Sequence, residues 1–410
     1  MKRTAVLSVH SCPLAALGGK ETGGMNVYVR EMAREMGRLG YQVDVFTRSQ
    51  NPHITRVVHL GRNARVIHLK AGPEEPLPKN DLLPHLPEFT SGVRQFAAEE
   101  GISYDLIHSH YWLSGRVGET LKQQWSVPMV HMFHTLGVLK NTLNRRRAEM
   151  ESEERIGIEN GIMKSADVLV APSPWEKERM VSHYAADPEK IRVIPCGVDL
   201  TLFRPIPPVK ARKSLGLSKR KFVLFVGRID AIKGIDLLIR AIDCLVEKSC
   251  LGKHDIGLII VGGDKDADPR IETHEMQRLR KLVSRLNLEE EVAFWGAQRQ
   301  DLLPLFYSAA QALILPSRYE SFGMVALEAM GCGTPVIASR VGGLQYTVQD
   351  GQNGLLFPEG NWRDLAERIR EVIVSPSLRK KLGQAALKRA KKFSWTKVTT
   401  EVLSVYRSLL

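Results

Sequence analysis

Along the first half of the chain, short apolar runs alternate with stretches whose apolar residues recur every three or four positions. That is the pattern of strands and amphipathic helices wound into a doubly wound parallel sheet. The runs predict strands at 5–9, 43–47, 66–69, 106–109, 129–133, 168–171 and 191–194. Val29, Met32, Ala33 and Met36 occupy i, i+3, i+4 and i+7 of one helix, which Gly40 ends. This helix opens from Gly18-Gly19-Lys20-Glu21-Thr22-Gly23-Gly24-Met25-Asn26, a glycine-rich turn that suits either a backbone N–H cradle or a plain tight turn. The proline-rich stretch 200–208, LTLFRPIPP, divides the chain into domains 1–203 and 204–393. Alternation then resumes, with strands predicted at 222–226, 257–261, 292–295, 312–315 and 335–338 and a helix from Gly234. The tail, 393–410, is amphipathic.

A length of 410 residues suits two domains of about 200 each. With 43% hydrophobic and 25% charged residues, the composition is that of a globular protein, and no apolar run reaches membrane-span length. The basic start is followed by too short an apolar run for a signal peptide, and no small-residue cleavage site follows it. Five cysteines (Cys12, Cys196, Cys244, Cys250, Cys332) lack CxxC spacing, which argues against a disulfide framework and for a cytoplasmic setting. The net charge of +13 admits nucleic acid, anionic lipid or phosphorylated small molecules as partners. Its densest cluster, 388–392, has no interleaved aromatics and no accompanying nucleic-acid motif, so a solvated helix face is the simpler reading. Nucleic acid is therefore set aside. A weak contact with an anionic membrane and a homodimer stay open.

Candidate chemistry concentrates in 316–337, PSRYESFGMVALEAMGCGTPVI. An apolar run stops at Pro316-Ser317, and a helix is predicted to start near Ser321 and to end at Gly331 and Gly333. Glu320 precedes that helix and Glu328 lies eight residues on, roughly 12 Å away if the rise is helical throughout. Between them lie the first free N–H groups of the helix, where an anion such as a diphosphate is favoured. A second turn, Gly227-Arg228-Ile229-Asp230-Ala231-Ile232-Lys233-Gly234, sets two cations five residues apart, able to converge on one diphosphate.

The E-x7-E and R-x4-K spacings together, with Ser-Phe-Gly and Gly-x-Gly-Thr-Pro-Val beside the first, resemble the donor-binding signature of the retaining GT-B glycosyltransferases of family 4. The resemblance implies an α/β protein of two Rossmann-like domains facing each other across a cleft that closes over substrate, with a C-terminal helix at about 394–410 returning to the first. It implies a nucleoside diphosphate sugar as donor, UDP-linked, carrying glucosyl or N-acetylglucosaminyl. The donor would be held by Gly23, Gly24, Arg228, Lys233, Glu320, Ser321, Phe322, Gly323, Met324, Val325 and Glu328. Arg228, Lys233, His134 and Glu320 would serve catalysis, with no cofactor and no metal required.

On the acceptor side, Gly23 to Tyr28, Ala71-Gly72-Pro73 with Lys79, His108 to Ser114, His134-Thr135-Leu136 and Glu151 to Arg155 resemble the D-inositol-3-phosphate glycosyltransferases. That resemblance implies an acceptor phosphate on Lys79, Tyr111, Thr135 and Arg155, and an inositol contact at Asn26. Sucrose-phosphate synthases share much of the layout. Two metal readings weigh less: the strand-end histidines His108, His110, His131 and His134 lack a carboxylate, and Asp264-Lys265-Asp266-Ala267-Asp268 reads as a polar turn before Pro269. A catalytically dead sugar-phosphate scaffold and a transferase for lipid-linked acceptors are the remaining alternatives. Intact Arg228, Lys233, Glu320 and Glu328 argue against the scaffold.

Overall fold

The apolar runs of the first half become one eight-stranded sheet in the computed structural model, which describes residues 2–15, 23–143, 150–218, 220–247, 256–263 and 273–410. Its strands are β1 (Arg3–Leu7), β2 (Gln42–Arg48), β3 (Val57–Gly61), β4 (Ala64–Leu69), β5 (Leu106–His110), β6 (Met129–Met132), β7 (Val168–Ala171) and β8 (Ile191–Val193). They lie in the order β3-β4-β2-β1-β5-β6-β7-β8, parallel except where β3 pairs antiparallel with β4. The run pattern does not predict β3, because only Leu60 of VVHLG is buried there and an edge strand needs no apolar run. The chain leaves β1 toward β2 on one side and meets β5 on the other. In sheets of this kind, ligands bind outside the strand ends at that reversal.

Helix Gly24–Arg38 buries Val29, Met32, Ala33 and Met36 as its periodicity requires. The last helix, Trp395–Leu409, packs in this same unit, with Tyr406 Oη 2.7 Å from His108 Nδ1 and the Trp395 ring edge-on to Tyr28.

A second unit holds β9 (Lys221–Val226), β10 (Ile256–Val261), β11 (Val292–Gly296), β12 (Leu313–Leu315), β13 (Val336–Ser339) and β14 (Gly354–Phe357). The order is β11-β10-β9-β12-β13-β14, all parallel, and the reversal falls between β9 and β12. Strand β14 is also absent from the prediction, since its three apolar residues follow the polar turn QDGQNG. The core of this unit joins Val223, Phe225, Leu258, Ile260, Ile314 and Ile337 of the sheet to Ile235, Leu238, Ile242 and Ile369 of its helices.

The two units divide at Pro195–Cys196, ahead of the proline-rich stretch and not at 203–204. The reason is that 196–203 is tied into the second unit: Val198 N–H donates to Phe393 O, and the Phe203 ring packs edge-on against Tyr307. Among the described residues, Cys12, Cys196, Cys244 and Cys332 are free thiols, and no helix is long and apolar enough to cross a membrane. Cys250, the turn residues 18–22 and Asp264, Asp266 and Asp268 lie outside the described residues.

Candidate active site

Two turns at the reversal of the second sheet carry the residues expected to bind the donor. After β9, Asp230 accepts a hydrogen bond from Ile232 N–H and caps the short 3-10 turn Ala231–Lys233. Gly234 closes that turn at φ +64°, where a Cβ would stand 2.1 Å from Pro316 O, so the turn backs directly onto the end of β12. Arg318 N–H donates to Ile232 O and locks the two turns together. Lys233 Nζ lies 2.5 Å from Glu320 Oε2, both side chains 19% exposed. Arg228 is exposed on the same turn as Lys233.

The helix after β12 is Met324–Gly331, three residues later than its expected start near Ser321. Gly323 stands just before its first residue at φ +84°, with Leu344 Cδ2 where a Cβ would need room. Glu320, Ser321 and Phe322 are therefore in a turn and not on a helical axis, and the 12 Å spacing from Glu320 to Glu328 loses its basis. What fixes Glu320 to Phe322 instead is a segment the sequence reading missed. Gly343 N–H donates to Glu320 O at 2.9 Å, and Thr347 Oγ1 donates to Phe322 O at 3.0 Å. The Gly342-Gly343 pair was the available signal. Glu328 is buried, and its Oε2 accepts from Tyr307 Oη at 2.7 Å. Met324 and Val325 form the first turn of the helix, whose N–H groups have no side-chain cap.

In the first unit, Tyr111 follows β5 and His134 and Thr135 follow β6, with Tyr111 at φ +75° and His134 at φ +62°, rare values for residues with side chains. Arg155 binds the group together from helix Glu153–Ser165. Its Nη1 donates to Tyr111 Oη at 3.1 Å and its Nη2 to Thr135 O at 3.0 Å and Thr135 Oγ1 at 3.4 Å. Glu151 Oε1 lies 2.8 Å from Arg155 Nη1 and 2.9 Å from both Lys79 Nζ and Lys140 Nζ. Glu159, fully buried, takes Arg155 Nε at 2.7 Å, the Gly137 N–H and the Tyr184 hydroxyl. Thus Lys79, Tyr111, Thr135 and Arg155, dispersed over the sequence, come together.

Lys140, Glu159 and His10 belong to the same cluster and were missed. Glu151 was quoted only as part of a motif. Their signal was position, since His10 follows the first strand and Glu159 lies one helical turn after Arg155. His10 packs at a tilt against Tyr111 with ring centroids 4.4 Å apart, and burial, then Lys79 and its neighbours, push its imidazole down to about 3. Lys140 is lowered to about 8 by burial and then by Lys79. Burial alone would raise the Glu151 carboxyl, but Arg155, Lys140 and Lys79 hold it at about 2.

Asn26 stands in the first turn of helix Gly24–Arg38, buried, and its amide donates to Cys12 O at 2.7 Å. Gly23 precedes that helix and Gly24 opens it. The four histidines separate by strand parity. The His108 and His110 rings are 4.3 Å apart, and His110 Nδ1 meets His134 Nε2 at 3.0 Å, one nitrogen donating and the other accepting. His131 sits beside Ser109 on the other face, its Nδ1 2.8 Å from Ser109 Oγ. Burial pushes His134 down to about 3, so its imidazole is neutral at ordinary pH. Among the described residues, no three His, Cys, Asp or Glu side chains are grouped as metal ligands.

Comparison with known proteins shows the family and the fold. Residues 209–389 match the family model "Glycosyl transferases group 1", and residues 22–202 match "Glycosyltransferase Family 4". Over 408 residues the chain is 40% identical to a D-inositol 3-phosphate glycosyltransferase of Actinosynnema mirum, covering 99% of this chain and 97% of that one. A solved sucrose-phosphate synthase from Thermosynechococcus elongatus is 36% identical, with a TM-score of 0.91 over 100% of this chain and 99% of that one. Anabaena HepE in complex with UDP and glucose shares the fold at 22% identity and a TM-score of 0.78, with both chains fully covered. Fold and site together define a glycosyltransferase of the GT-B class. The chain belongs to the family 4 (group 1) glycosyltransferases, and it is similar over its whole length to the D-inositol 3-phosphate glycosyltransferases.

Proposed function

We propose that this glycosyltransferase moves a glucosyl or N-acetylglucosaminyl group from a UDP-sugar to a hydroxyl of a phosphorylated polyol or sugar, such as an inositol phosphate, with retention of configuration. The observation that carries the reading is the gathering of Lys79, Tyr111, Thr135 and Arg155 at the ends of β5 and β6. A phosphate dianion calls for two or more cations with additional N–H or O–H donors, and this cluster has them. The likeness to sucrose-phosphate synthase favours a second reading, in which the phosphate is carried by a hexose. Both readings share the phosphate.

On the donor side, the diphosphate is assigned to the uncapped N-terminus of helix Met324–Gly331, with Arg228 and Lys233 as its cations. Glu320, Ser321, Phe322 and Gly323 bring their backbone to it, Glu320 takes hexose hydroxyls and Glu328 the ribose. The glycosidic C–O bond to the diphosphate breaks through an oxocarbenium-like state. The acceptor oxygen bonds to the anomeric carbon on the same face, and its proton passes to the leaving phosphate oxygen. Arg228, Lys233 and the N–H groups of Phe322 to Val325 stabilise the charge that develops there. With two fixed cations in that role, activity should persist in EDTA. The free thiols are in keeping with a reducing cytoplasm.

The test is to incubate the enzyme with labelled nucleotide sugars and with phosphorylated and unphosphorylated acceptors, reading products by mass and anomeric configuration by NMR. The reading requires a hexosylated phosphate ester that keeps the donor's configuration. Transfer to unphosphorylated acceptors alone, or inversion, would overturn it.

A further inference from the structure

Arg155 carries two carboxylates that are held in different ways. Glu159 uses both oxygens, Oε1 toward Arg155 Nε and Oε2 toward the Gly137 N–H and the Tyr184 hydroxyl, and it is fully buried. Among the described residues, Glu151 makes its three ionic contacts through Oε1: Lys79 and Lys140 at 2.9 Å and Arg155 at 2.8 Å. Its main chain is fixed on both sides by one amide, since its N–H donates to Asn141 Oδ1 at 2.6 Å and Asn141 Nδ2 donates to its carbonyl at 3.1 Å. The backbone is clamped, so the side chain is the part left to swing. One anionic oxygen receiving three cationic donors is the arrangement that a phosphate oxygen would require.

We propose that Glu151 is a specificity-determining residue, a tethered counter-ion that occupies the place of the acceptor's phosphate and yields it only to a dianion. This rests on the reading that Lys79, Tyr111, Thr135 and Arg155 hold that phosphate. With Glu151 in place, three cations face two carboxylates and one positive charge is left over. With Glu151 swung out, two positive charges are left over, matching a phosphate dianion. A carboxylate or other monoanion gains no more from the cations than Glu151 already supplies without loss of translational freedom. The three cations also hold the Glu151 carboxyl at about 2 against the effect of burial, so it leaves as an ion displaced by another anion, not by protonation.

The test is calorimetric titration of the full-length protein at neutral pH and low salt with inorganic phosphate and, separately, with acetate. Wild type should bind phosphate and not acetate. Glu151→Gln should bind phosphate about tenfold more tightly and should now bind acetate. Glu151→Asp, too short to reach all three cations, should shift the same way. A gain in affinity is the informative sign, because removing a merely structural support only weakens binding. Unchanged or weaker phosphate binding in both variants, with uridine diphosphate affinity intact, overturns the inference and leaves the phosphate site standing. If Lys79→Ala binds phosphate as well as wild type does, or if neither wild type nor Glu151→Gln binds it, the site itself is misread and the inference falls with it.

Discussion

The proposed acceptor cluster of the first unit and the proposed donor turns of the second are each assigned an anion, but they are built from different materials. The first is made of side chains: Lys79, Lys140, Arg155, Glu151 and Glu159, mostly buried and paired with one another, come from segments spread over eighty residues. The second is made of backbone: Gly234, Gly323 and the Gly342-Gly343 pair let main chains approach, and hydrogen bonds from Arg318, Gly343 and Thr347 hold them. The Lys233–Glu320 ion pair there is intermediate in exposure, as Lys79 and Lys140 are, whereas Arg155 and Glu159 of the first cluster are fully buried. A side-chain site can discriminate by charge, because its ions are desolvated and their balance is set. A backbone site recognises a diphosphate by shape and leaves the discriminating contacts to a few residues at its edge.

The difference predicts where each half breaks. Glu159→Ala should have the largest effect, leaving Arg155 Nε, the Gly137 N–H and the Tyr184 hydroxyl without their carboxylate in a buried place. A loss of about 3–5 kcal/mol in urea unfolding is expected, and a loss under 1 would show that the cluster is not preassembled by this ion. Lys233→Ala should fold normally yet lose about 3 kcal/mol of transition-state stabilisation, a hundredfold or more in turnover. Near-normal turnover would remove Lys233 from catalysis. Gly234→Ala, which sets a Cβ against Pro316 O, should cost about 1–3 kcal/mol of stability and weaken UDP binding, with acceptor-phosphate affinity unaffected. Equal weakening of both ligands would contradict the division of labour.

The smallest effect is on pH. Lys140 titrates at about 8, facing Lys79, Glu151 and Arg155, so it is a cation below that pH and becomes neutral as pH rises through it. The acceptor KM should therefore rise between pH 7 and 9, by roughly tenfold at most for one charge-assisted contact, while the donor KM stays level. A flat acceptor KM would place Lys140 outside the phosphate contacts.

What the sequence made legible follows the same division. Buried parallel strands are apolar on both faces and were found within about two residues of their ends. The exposed edge strand β3 and the short β14 were not, because neither needs a long apolar run. Lys79, Tyr111, Thr135 and Arg155 were marked by family motifs, whereas Lys140 and Glu159 stood outside them and joined the cluster only where folding set Glu159 on Arg155 and Lys140 on Glu151. The late start of helix Met324–Gly331 was missed because the φ of Gly323 and the support from Gly343 and Thr347 are tertiary facts.

The central claim is that the first unit holds an acceptor's phosphate. Arg155→Ala is a poor probe, since it would strand two buried carboxylates at once. Lys79, whose side chain is 22% exposed, is the better one. The decisive measurement is kcat/KM for a phosphorylated acceptor and for its dephosphorylated form, in wild type and in Lys79→Ala. The wild type should prefer the phosphorylated compound strongly. The variant should lose roughly 10- to 100-fold of that preference, in line with one charge-assisted hydrogen bond of about 1.5–3 kcal/mol. A wild-type enzyme that uses both compounds equally well would contradict the account.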